Sequence, residues 1–288
     1  MICRSNLNLS LPADGESIIT PNILLANPDC NPSDFYVEIF DSQGNTLGDK
    51  ITCDQVGQTL NAGVFHQVTG ISCWTLIGVS DYFPPQLTCQ DTLISCMSDF
   101  SVAAIGSPTV IDNCEIASLT FTEDFTARDC FFTNINGDTI TAELTRTWTA
   151  TDVNGNTNSC TQFIYLKRNT IDDVVFPVNR DDFGLPALDC SQNPQDLNLT
   201  GEPTIENQPL LTGGHCELIV SFNDQSIEFC GPGGFRVLRN WRVVDYCTGN
   251  FKEHIQVIKV ADNTPPEITC ISDIEAVSYT HLTLPTKA

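Results

Sequence analysis

The chain has 288 residues, too many for one small β-sandwich and suited to two or three domains. It carries 36 acidic against 13 basic residues, for a formal net charge of −23. This balance argues against nucleic acid or an anionic membrane as a partner, because both require clustered Lys and Arg. The apolar fraction of 41% is sufficient for hydrophobic cores.

Helical patterns are nearly absent. Thr, Val, Ile and Phe dominate and are interrupted by Asn, Asp, Gly and Pro, which is typical of short strands joined by tight turns. In such a chain, 14 cysteines indicate disulfides formed in an oxidising compartment. No segment reaches the roughly 18 apolar residues of a membrane span, and MICRSNLNLSL lacks the apolar core of a signal peptide. We therefore expect an all-β, disulfide-stabilised part of a longer exported protein.

The first predicted unit covers residues 1–82. Its segment FYVEIFDSQGNTL (35–47) is typical of a strand, a turn and a second strand, with Asp41 in the turn. Its last strand, ISCWTLIGVSD (71–81), matches NSCTQFIYLKR (158–168) at the Ser-Cys pair. The first unit is therefore related to the rest of the chain but divergent.

The second unit (83–170) and the third unit (171–263) contain a copied segment. LTRTWTATDVNGN (144–156) and VLRNWRVVDYCTGN (237–250) both carry Arg-x-Trp, an Asp four residues after the Trp, and a Gly-Asn pair. Alternation along a strand places one set of these side chains on a single face. The two sets are Leu144, Arg146, Trp148 and Ala150, and Val237, Arg239, Trp241 and Val243.

This pattern predicts that Trp148 and Trp241 anchor two cores, with the stems of Arg146 and Arg239 beside them in cation–π contact. A glycan-stacking Trp is the functional alternative, but the flanking pattern buries that face. The Asp-to-Asn segments that follow are predicted to be turns into the last strand of each unit.

Pro-Pro pairs mark the unit starts and act as stiff spacers, as in FPPQLTC (83–89) and TPPEITC (264–270). Each unit has the size of a seven-stranded sandwich of about 80 to 95 residues. We therefore predict tandem immunoglobulin-like β-sandwich repeats joined by short Pro-containing linkers. Residues 264–276 are interpreted as the start of a truncated further repeat, and residues 277–288 as a non-native tail that continues none of the pattern.

Superposing the second and third units suggests which cysteines pair. The third unit lacks the equivalents of both Cys89 and Cys160, and His254 stands at the place of Cys160. Because the two cysteines are missing together from the third unit, they are expected to be bonded to each other in the second. The full expected set is Cys89–Cys160, Cys114–Cys130, Cys216–Cys230, Cys190–Cys247, Cys3–Cys73 and Cys30–Cys53, with Cys96 and Cys270 unpaired.

The motifs TPPEITC, FPPQLTC, DNC (112–114) and TRTWTATD (145–152) with its later Cys-x-Gln-x-Ile resemble hyalin-repeat (HYR) modules. More narrowly, they are similar to cysteine-rich tandem repeats of large secreted and cell-surface proteins of Bacteroidetes-type bacteria. The first unit is similar to a companion module of such arrays, so the resemblance covers residues 1–276. It implies immunoglobulin-like sandwiches, extracellular placement and an adhesive or spacer role, and it implies no catalytic residues.

Motifs for hydrolases, metalloproteases and nucleotide binding are absent from the sequence. One set of side chains in the third unit is a candidate zinc site. It consists of His215, Cys216, Cys230, Cys247 and His254. Its spacing fits no familiar zinc finger, and each cysteine already has a disulfide role, so the disulfide interpretation is favoured.

Acidic residues gather near the unit junctions. They are Asp81, Asp172, Asp173 and Asp262. Carboxylates at the seam of two sandwiches would hold calcium and lock the angle between units. The alternative is solvated linker charge and strand-end turns, and Asp181 and Asp182 are predicted to be turn residues. No other cofactor is expected.

The sequence thus predicts a non-enzymatic, extracellular or cell-surface repeat region of a larger protein that acts as a rigid spacer or adhesin stalk. Its expected partners are neighbouring repeats and an extracellular polysaccharide or surface protein. The alternative is a carbohydrate- or protein-binding module, calcium-dependent and attached to a secreted enzyme. Exposed aromatic side chains clustered in one loop set would favour the alternative, and Trp74 and Tyr82 are the residues to inspect.

Overall fold

Extended backbone dominates the computed structural model, which describes residues 1–26, 31–211, 214–228, 234–262 and 267–269. The strands are β1 (Asn6–Ser10), β2 (Glu16–Ile18), β3 (Phe35–Phe40), β4 (Thr46–Gly48), β5 (Lys50–Thr52), β6 (Thr59–His66), β7 (Ser72–Ser80), β8 (Gln86–Thr88), β9 (Thr92–Ser95), β10 (Thr109–Ile111), β11 (Ile116–Ala127), β12 (Ile140–Asp152), β13 (Thr157–Lys167), β14 (Leu188–Asp189), β15 (Thr204–Ile205), β16 (Gln208–Pro209), β17 (Leu218–Glu228), β18 (Gly234–Asp245) and β19 (Phe251–Ala261).

Helices are short. The α-helices are α1 (Pro21–Leu24), α2 (Val102–Ile105) and α3 (Leu197–Thr200), and the 3-10 turns are Pro32–Asp34, Cys53–Gln55 and Ile171–Asp173. Over the described part of the chain, no helix has the length and apolar character required to cross a bilayer. The all-β fold class predicted from composition is confirmed.

Three larger sheets carry the fold, one in each predicted unit. Their strand orders are β1-β7-β6-β3-β4, β11-β12-β13-β9 and β14-β19-β18-β17. In each sheet, the last strand of the unit pairs antiparallel with a preceding long strand and parallel with an N-terminal strand. The repeated topology fits tandem units, while the boundaries at residues 82, 170 and 263 stay predictions.

The first unit shows the two-layer packing of a sandwich. Ile39, Leu60 and Ile77 on the inner face of the five-stranded sheet are fully buried. They share one core cluster with Ile51 of the β2–β5 pair and with Leu24 of α1, which together form the opposite layer. Alternation of buried and exposed residues along β3, β6 and β7 is therefore what builds this core.

The two copied segments form β12 and β18, the central strands of the second and third sheets, and their alternate residues are buried as predicted. The buried sets are Leu144, Arg146, Trp148 and Ala150, and Val237, Arg239, Trp241 and Val243, each exposed by 3% or less. Because both tryptophan rings are enclosed, neither is accessible for stacking on a glycan.

Each buried arginine is neutralised by a carboxylate directly opposite it on the neighbouring strand. Arg239 donates from Nε and Nη2 to the two oxygens of Asp224 at 2.8 and 2.7 Å. Arg146 donates from Nε to Glu123 at 2.7 Å. The guanidinium of Arg239 also lies 5.7 Å from the ring centroid of Trp241, the cation–π contact expected from sequence, and 4.6 Å from that of Phe222. A buried charge is tolerated here because it is paired and hydrogen-bonded.

The tryptophans are fixed from the opposite side by glutamines of the last strand. The Nε1 of Trp148 donates to Gln162 at 3.3 Å, and the Nε1 of Trp241 donates to Gln256 at 3.1 Å. The side-chain amide of Gln256 donates in turn to the carbonyl of Thr200 at 2.7 Å. The copies therefore repeat one buried polar network, and this network sets the same register in both units.

We predict that Asp224→Ala lowers the free energy of unfolding of the third unit by about 3–5 kcal/mol, because Arg239 would remain buried without its carboxylate. Urea unfolding followed by tryptophan fluorescence measures this change. The matched control is Glu253→Ala, which removes a partner of Arg242 at 3.8 Å where both side chains are more than half exposed. That change is expected to cost at most about 1 kcal/mol. Equal losses in the two variants would contradict the role given to the buried pair.

Candidate functional site: the unit junctions

Five disulfides lie among the described residues, and three of them connect different units. Cys3–Cys73 and Cys89–Cys160 lie within the first and second units, in the pairing expected from sequence. The bridges between units are Cys53–Cys114, Cys96–Cys216 and Cys130–Cys247. The contact between the first and second units is called the first junction below, and that between the second and third units is the second junction.

The expected Cys114–Cys130 bridge is wrong because a long strand separates its two cysteines. Cys114 precedes β11 and Cys130 follows it, and 12 extended residues span about 40 Å. A disulfide requires Cα atoms within about 7 Å. The expected Cys216–Cys230 pair flanks β17 in the same way, and Cys216 is bonded to Cys96 instead. Cys230 itself lies outside the described residues.

Three further expectations about cysteines also fail. Cys190 and Cys247 lie at opposite ends of β19, so they are not bonded, and Cys190 is an exposed free thiol. The expected Cys30–Cys53 bridge is excluded because Cys53 is bonded to the second unit. Cys96, expected to be unpaired, is in the second junction. Cys30 and Cys270 lie outside the described residues.

The second junction is closed by a buried cation. Arg168, whose side chain is 7% exposed, donates from Nη2 to Asp245 at 2.6 Å and from Nε to Glu217 at 3.2 Å. Its guanidinium also lies 5.3 Å from the ring centroid of Phe131. Burial acts to raise the pKa of Asp245, but the hydrogen bond from Arg168 and those from two backbone amides outweigh it, so the pKa is lowered. A residue of the second unit thus pairs with two carboxylates of the third and offsets one of their two negative charges.

Apolar packing completes the second junction. Cys96 of the second unit and Cys216 of the third belong to one buried cluster with Val174, Ile205 and Val243, and Met97 packs against it. The interface is therefore covalent, apolar and ion-paired at once.

The first junction contains the opposite electrostatic arrangement. Carboxylate oxygens of Asp81, Asp112 and Asp152 lie within 4.8 Å of one another. Asp81 and Asp152 are 4% and 1% exposed. None of the ion pairs found among the described residues includes these three carboxylates. Three acidic groups thus share one partly enclosed volume without a basic side chain.

Amide groups surround this cluster but do not satisfy all of it. Asn113 and Asn154 donate from Nδ2 to Asp81 at 3.1 and 3.2 Å. Within the described chain, Oδ1 of Asp112 and Oδ1 of Asn113 are buried and accept no hydrogen bond. Burial, followed by the charges of Asp152 and Asp81, raises the pKa of Asp112. The open oxygens and the uncompensated charge are the properties of an oxygen-ligand cation site.

A glycine brings the two units together at this place. Gly15 of the first unit has φ of +73°, and a Cβ there would lie 2.2 Å from the carbonyl oxygen of Asn113. Only a residue without a side chain permits this approach. The neighbouring Cys53–Cys114 bridge then joins the units next to the acidic cluster.

Asp81 and Arg168 occupy equivalent places in successive units. Ser80 pairs with Ser10 in the parallel β1–β7 ladder, and Lys167 pairs with Ser95 in the parallel β9–β13 ladder. The next residue enters the junction in each case. Where the second junction has the guanidinium of Arg168, the first therefore has a carboxylate.

The other predicted calcium ligands are not brought into this cluster. Asp173 accepts from the backbone amide of Thr170 at 2.7 Å, and Asp172 is an exposed residue 3.6 Å from Lys252. Asp262 follows β19 and lies near Cys190 at the far end of the third unit. Sequence reasoning found Asp81 and missed Asp112 and Asp152, although the DNC motif and the copied Asp turn contain them.

The predicted turn residues have the expected local roles. Asp41 accepts from the backbone amides of Gln43 and Asn45, each at 2.8 Å. Asp181 accepts from Gly184 at 3.0 Å, and Asp182 accepts from Ala187 at 2.8 Å.

The four described members of the candidate zinc set do not assemble into a metal site, and the fifth, Cys230, lies outside the described residues. Cys216 and Cys247 are both consumed in bridges to the second unit. His215 packs against the ring of Phe125 at 4.9 Å, while His254 stacks on Phe176 at 5.0 Å. His254 lies opposite Trp241, as Cys160 lies opposite Trp148, which is the equivalence inferred from sequence.

The two aromatic residues singled out from the sequence, Trp74 and Tyr82, do not lie in one loop set. Trp74, 51% exposed, lies on the outer face of the first sheet against Phe40 and Phe65. Tyr82, 70% exposed, lies beyond the end of β7. The feature that would favour a binding module in the loops is therefore not formed by these two residues.

No family model and no curated protein matches this chain. Solved structures with partial similarity include cadherin domains 1–4 of protocadherin gamma B7, with 14% identity over 90% of this chain and 75% of that one, at a TM-score of 0.26. Drosophila N-cadherin EC1–3 shows 10% identity over 90% of this chain and 98% of that one. Human CDH23 EC21–23 shows 12% identity over 89% of this chain and 97% of that one, and both structures have a TM-score of 0.26. TM-scores of this size carry no information on function.

Because the pKa of Asp112 is raised, we predict that the effect of replacing it on stability depends on pH. A raised folded-state pKa means that Asp112 stabilises the fold only when protonated, and that this contribution is lost as the pH rises through the raised value. In chelator at pH 7, Asp112→Asn should therefore be more stable than the parent chain. The difference in free energy of unfolding between the two chains should vanish below pH 3.8, the ordinary pKa of an Asp side chain. Urea unfolding between pH 3 and 8 measures it.

Asp41→Asn serves as the control of opposite sign. The hydrogen bonds of Asn45 lower the pKa of Asp41, so this substitution should destabilise the chain at neutral pH. If Asp112→Asn also proved destabilising at pH 7 in chelator, the repulsion assigned to the first junction would be refuted.

Proposed function

We propose that this chain is a non-enzymatic, extracellular structural repeat region of a larger secreted or surface protein, acting as a rigid spacer or adhesin stalk. The observation that carries the proposal is the disulfide bonding of neighbouring units at both described junctions. Independent domains on one chain normally move relative to one another unless a large interface restrains them. Covalent bonds across both junctions provide that restraint.

The second junction supports rigidity most strongly. Cys96–Cys216 and Cys130–Cys247 attach to different elements of each unit, and two separate attachments oppose hinge motion. The ion pairs of Arg168 and the apolar cluster around Val243 occupy the same interface. A stalk that must transmit position or force requires this property.

The chemical setting supports placement outside the cell. Disulfides persist in oxidising compartments and are rare in the cytosol. The net charge of −23 favours solubility without attraction to anionic surfaces. The resemblance to hyalin-repeat modules points the same way and supports an adhesive or spacer role over catalysis. An extracellular polysaccharide or surface protein remains the proposed external partner.

Calcium is the proposed ligand of the first junction. Asp81, Asp112 and Asp152 supply hard oxygen ligands, and Oδ1 of Asp112 has no hydrogen-bond partner in the described chain. In the second junction two neighbouring carboxylates also face each other, and there Arg168 forms ion pairs with both. A divalent cation would do in the first junction what that guanidinium does in the second.

Removing both bridges of the second junction by Cys→Ser substitution should broaden the distribution of distances between the second and third units. Single-molecule FRET between dyes on non-natural residues at Ile111 and Phe183, both exposed, measures this. The parent chain should give one narrow peak in oxidising buffer.

The control for this test removes a bridge within a unit. Without Cys89–Cys160, which closes a loop with a sequence separation of 71, the second unit should lose about 4 kcal/mol of stability. The FRET peak should remain narrow under native conditions. A parent chain with a broad distribution would contradict the rigid spacer.

Calcium should raise the free energy of unfolding of the parent chain, by about 2.7 kcal/mol when its concentration is 100-fold above Kd. Isothermal titration calorimetry should give one site, and Asp81→Asn should abolish its binding heat. Asp41→Asn is the matched control, since it removes one carboxylate from a similar turn outside the junction. Loss of binding in both variants, or no binding heat in the parent chain, would refute the site.

A further inference from the structure

We infer that Cys190 is the outgoing half of another disulfide between units, and that its partner is a cysteine placed like Cys216 in a following β-sandwich unit. This inference rests on the proposed function, because it extends the covalent cross-linking of units to the far end of the third unit. No bridge to Cys190 is present within the described residues, where its thiol is free and exposed.

The strand registers place Cys190 and Cys96 at the same position of successive units. Trp148 lies opposite Cys160 and Trp241 opposite His254, so residues 167 and 261 are equivalent. In the parallel ladders, residue 167 pairs with Ser95 and residue 261 pairs with Asp189. The next residue in the N-terminal strand is a cysteine in each unit. The equivalence therefore comes from hydrogen-bonded registers and not from spacing alone.

The equivalent cysteine is already bonded to the next unit. Cys96 is joined to Cys216 of the third unit and is 1% exposed, whereas Cys190 is exposed. The difference in exposure has a direct cause, because Cys96 is enclosed by the cluster that contains Cys216 and Val243 of the third unit. Cys190 has the same place on its own unit without that cover.

The receiving position is also repeated. Cys114 and Cys216 each lie two residues before the first long strand of their unit, and each is bonded to the preceding unit. The partner of Cys190 is thus defined chemically as a cysteine at this place in a sandwich of the same type. The sequence TPPEITC at residues 264–270, which matches the start of the second unit, is where such a unit is predicted to begin.

Cys270 is a less suitable partner for Cys190. By the match of TPPEITC with FPPQLTC it corresponds to Cys89, and Cys89 is bonded within its own unit to Cys160. A unit that starts at this motif would therefore use Cys270 internally and would need another cysteine to reach Cys190.

Bond formation joins the two sulfur atoms and releases two electrons and two protons. A small disulfide such as oxidised glutathione accepts them and is reduced to two thiols, by thiol–disulfide exchange through a mixed disulfide. The proposal therefore requires the oxidising environment that the existing bridges already imply.

The test uses the full chain with a second copy of residues 170–263 inserted directly after Asn263. The copy carries Cys190→Ser, so that the chain contains a single Cys190. The parent and extended chains are produced in an oxidising host, treated with iodoacetamide, digested without reduction and analysed by mass spectrometry. We expect Cys190 to be alkylated in the parent chain. In the extended chain we expect a linked Cys190–Cys216 peptide and loss of that alkylation.

A control copy that carries both Cys190→Ser and Cys216→Ala should restore alkylation of the single Cys190. Alkylated Cys190 in the extended chain, or a bridge from Cys190 to Cys230 or Cys270, would overturn the inference. The same digests report Cys96–Cys216 and Cys130–Cys247. If these two bridges are found while Cys190 stays alkylated, the inference alone fails. If they are missing from the parent chain, the proposed cross-linked spacer fails, and the inference fails with it.

Discussion

The register of the central strands is the constraint on which the rest of the structure depends. An arginine and a tryptophan on the buried face of β12, and again of β18, are each hydrogen-bonded across the sheet to a carboxylate or a glutamine. A slip of one residue would turn these side chains to the solvent face and place their exposed neighbours in the core. In the second and third units the polar network thus defines one pairing, and the residues that follow the last strand take their position from it.

The junctions inherit that position. Because the last strand of each unit has a fixed register, the residue that follows it enters the contact with the next unit at a fixed place. Arg168 pairs with two carboxylates there, whereas Asp81 adds a third carboxylate to two others. One fold therefore carries two electrostatic arrangements, one with a guanidinium among the carboxylates and one with carboxylates alone, where we propose a bound cation. The two junctions differ at more than one equivalent position, since Arg168 stands where the first has Asp81 and Gly214 stands where the first has Asp112.

Sequence patterns were sufficient for the fold and for part of the site. Alternation predicted the buried faces of β12 and β18, and the joint loss of two cysteines in the third unit predicted Cys89–Cys160. The bridges between units were not predictable in this way, because superposing repeats compares each unit with its copy and contains no trace of contact between neighbours. Asp152 shows the same limit: it is the turn residue that its motif indicates, and its second role arises only from the position of the preceding unit.

Placing a disulfide between units instead of within one changes the stability of the folded chain very little, so the placement must have another effect. Bridges within units have sequence separations of 70 and 71 residues, and those of the second junction have separations of 120 and 117. In the chain-entropy model the gain grows only with the logarithm of loop length, so the longer loops add about 0.5 kcal/mol each. A bridge between units therefore stabilises the folded chain about as much as a bridge within one unit, so stability alone does not explain the placement. What such a bridge adds is a restraint on the orientation of one sandwich against the next, and three of the five described bridges have this placement, as the proposed spacer role requires.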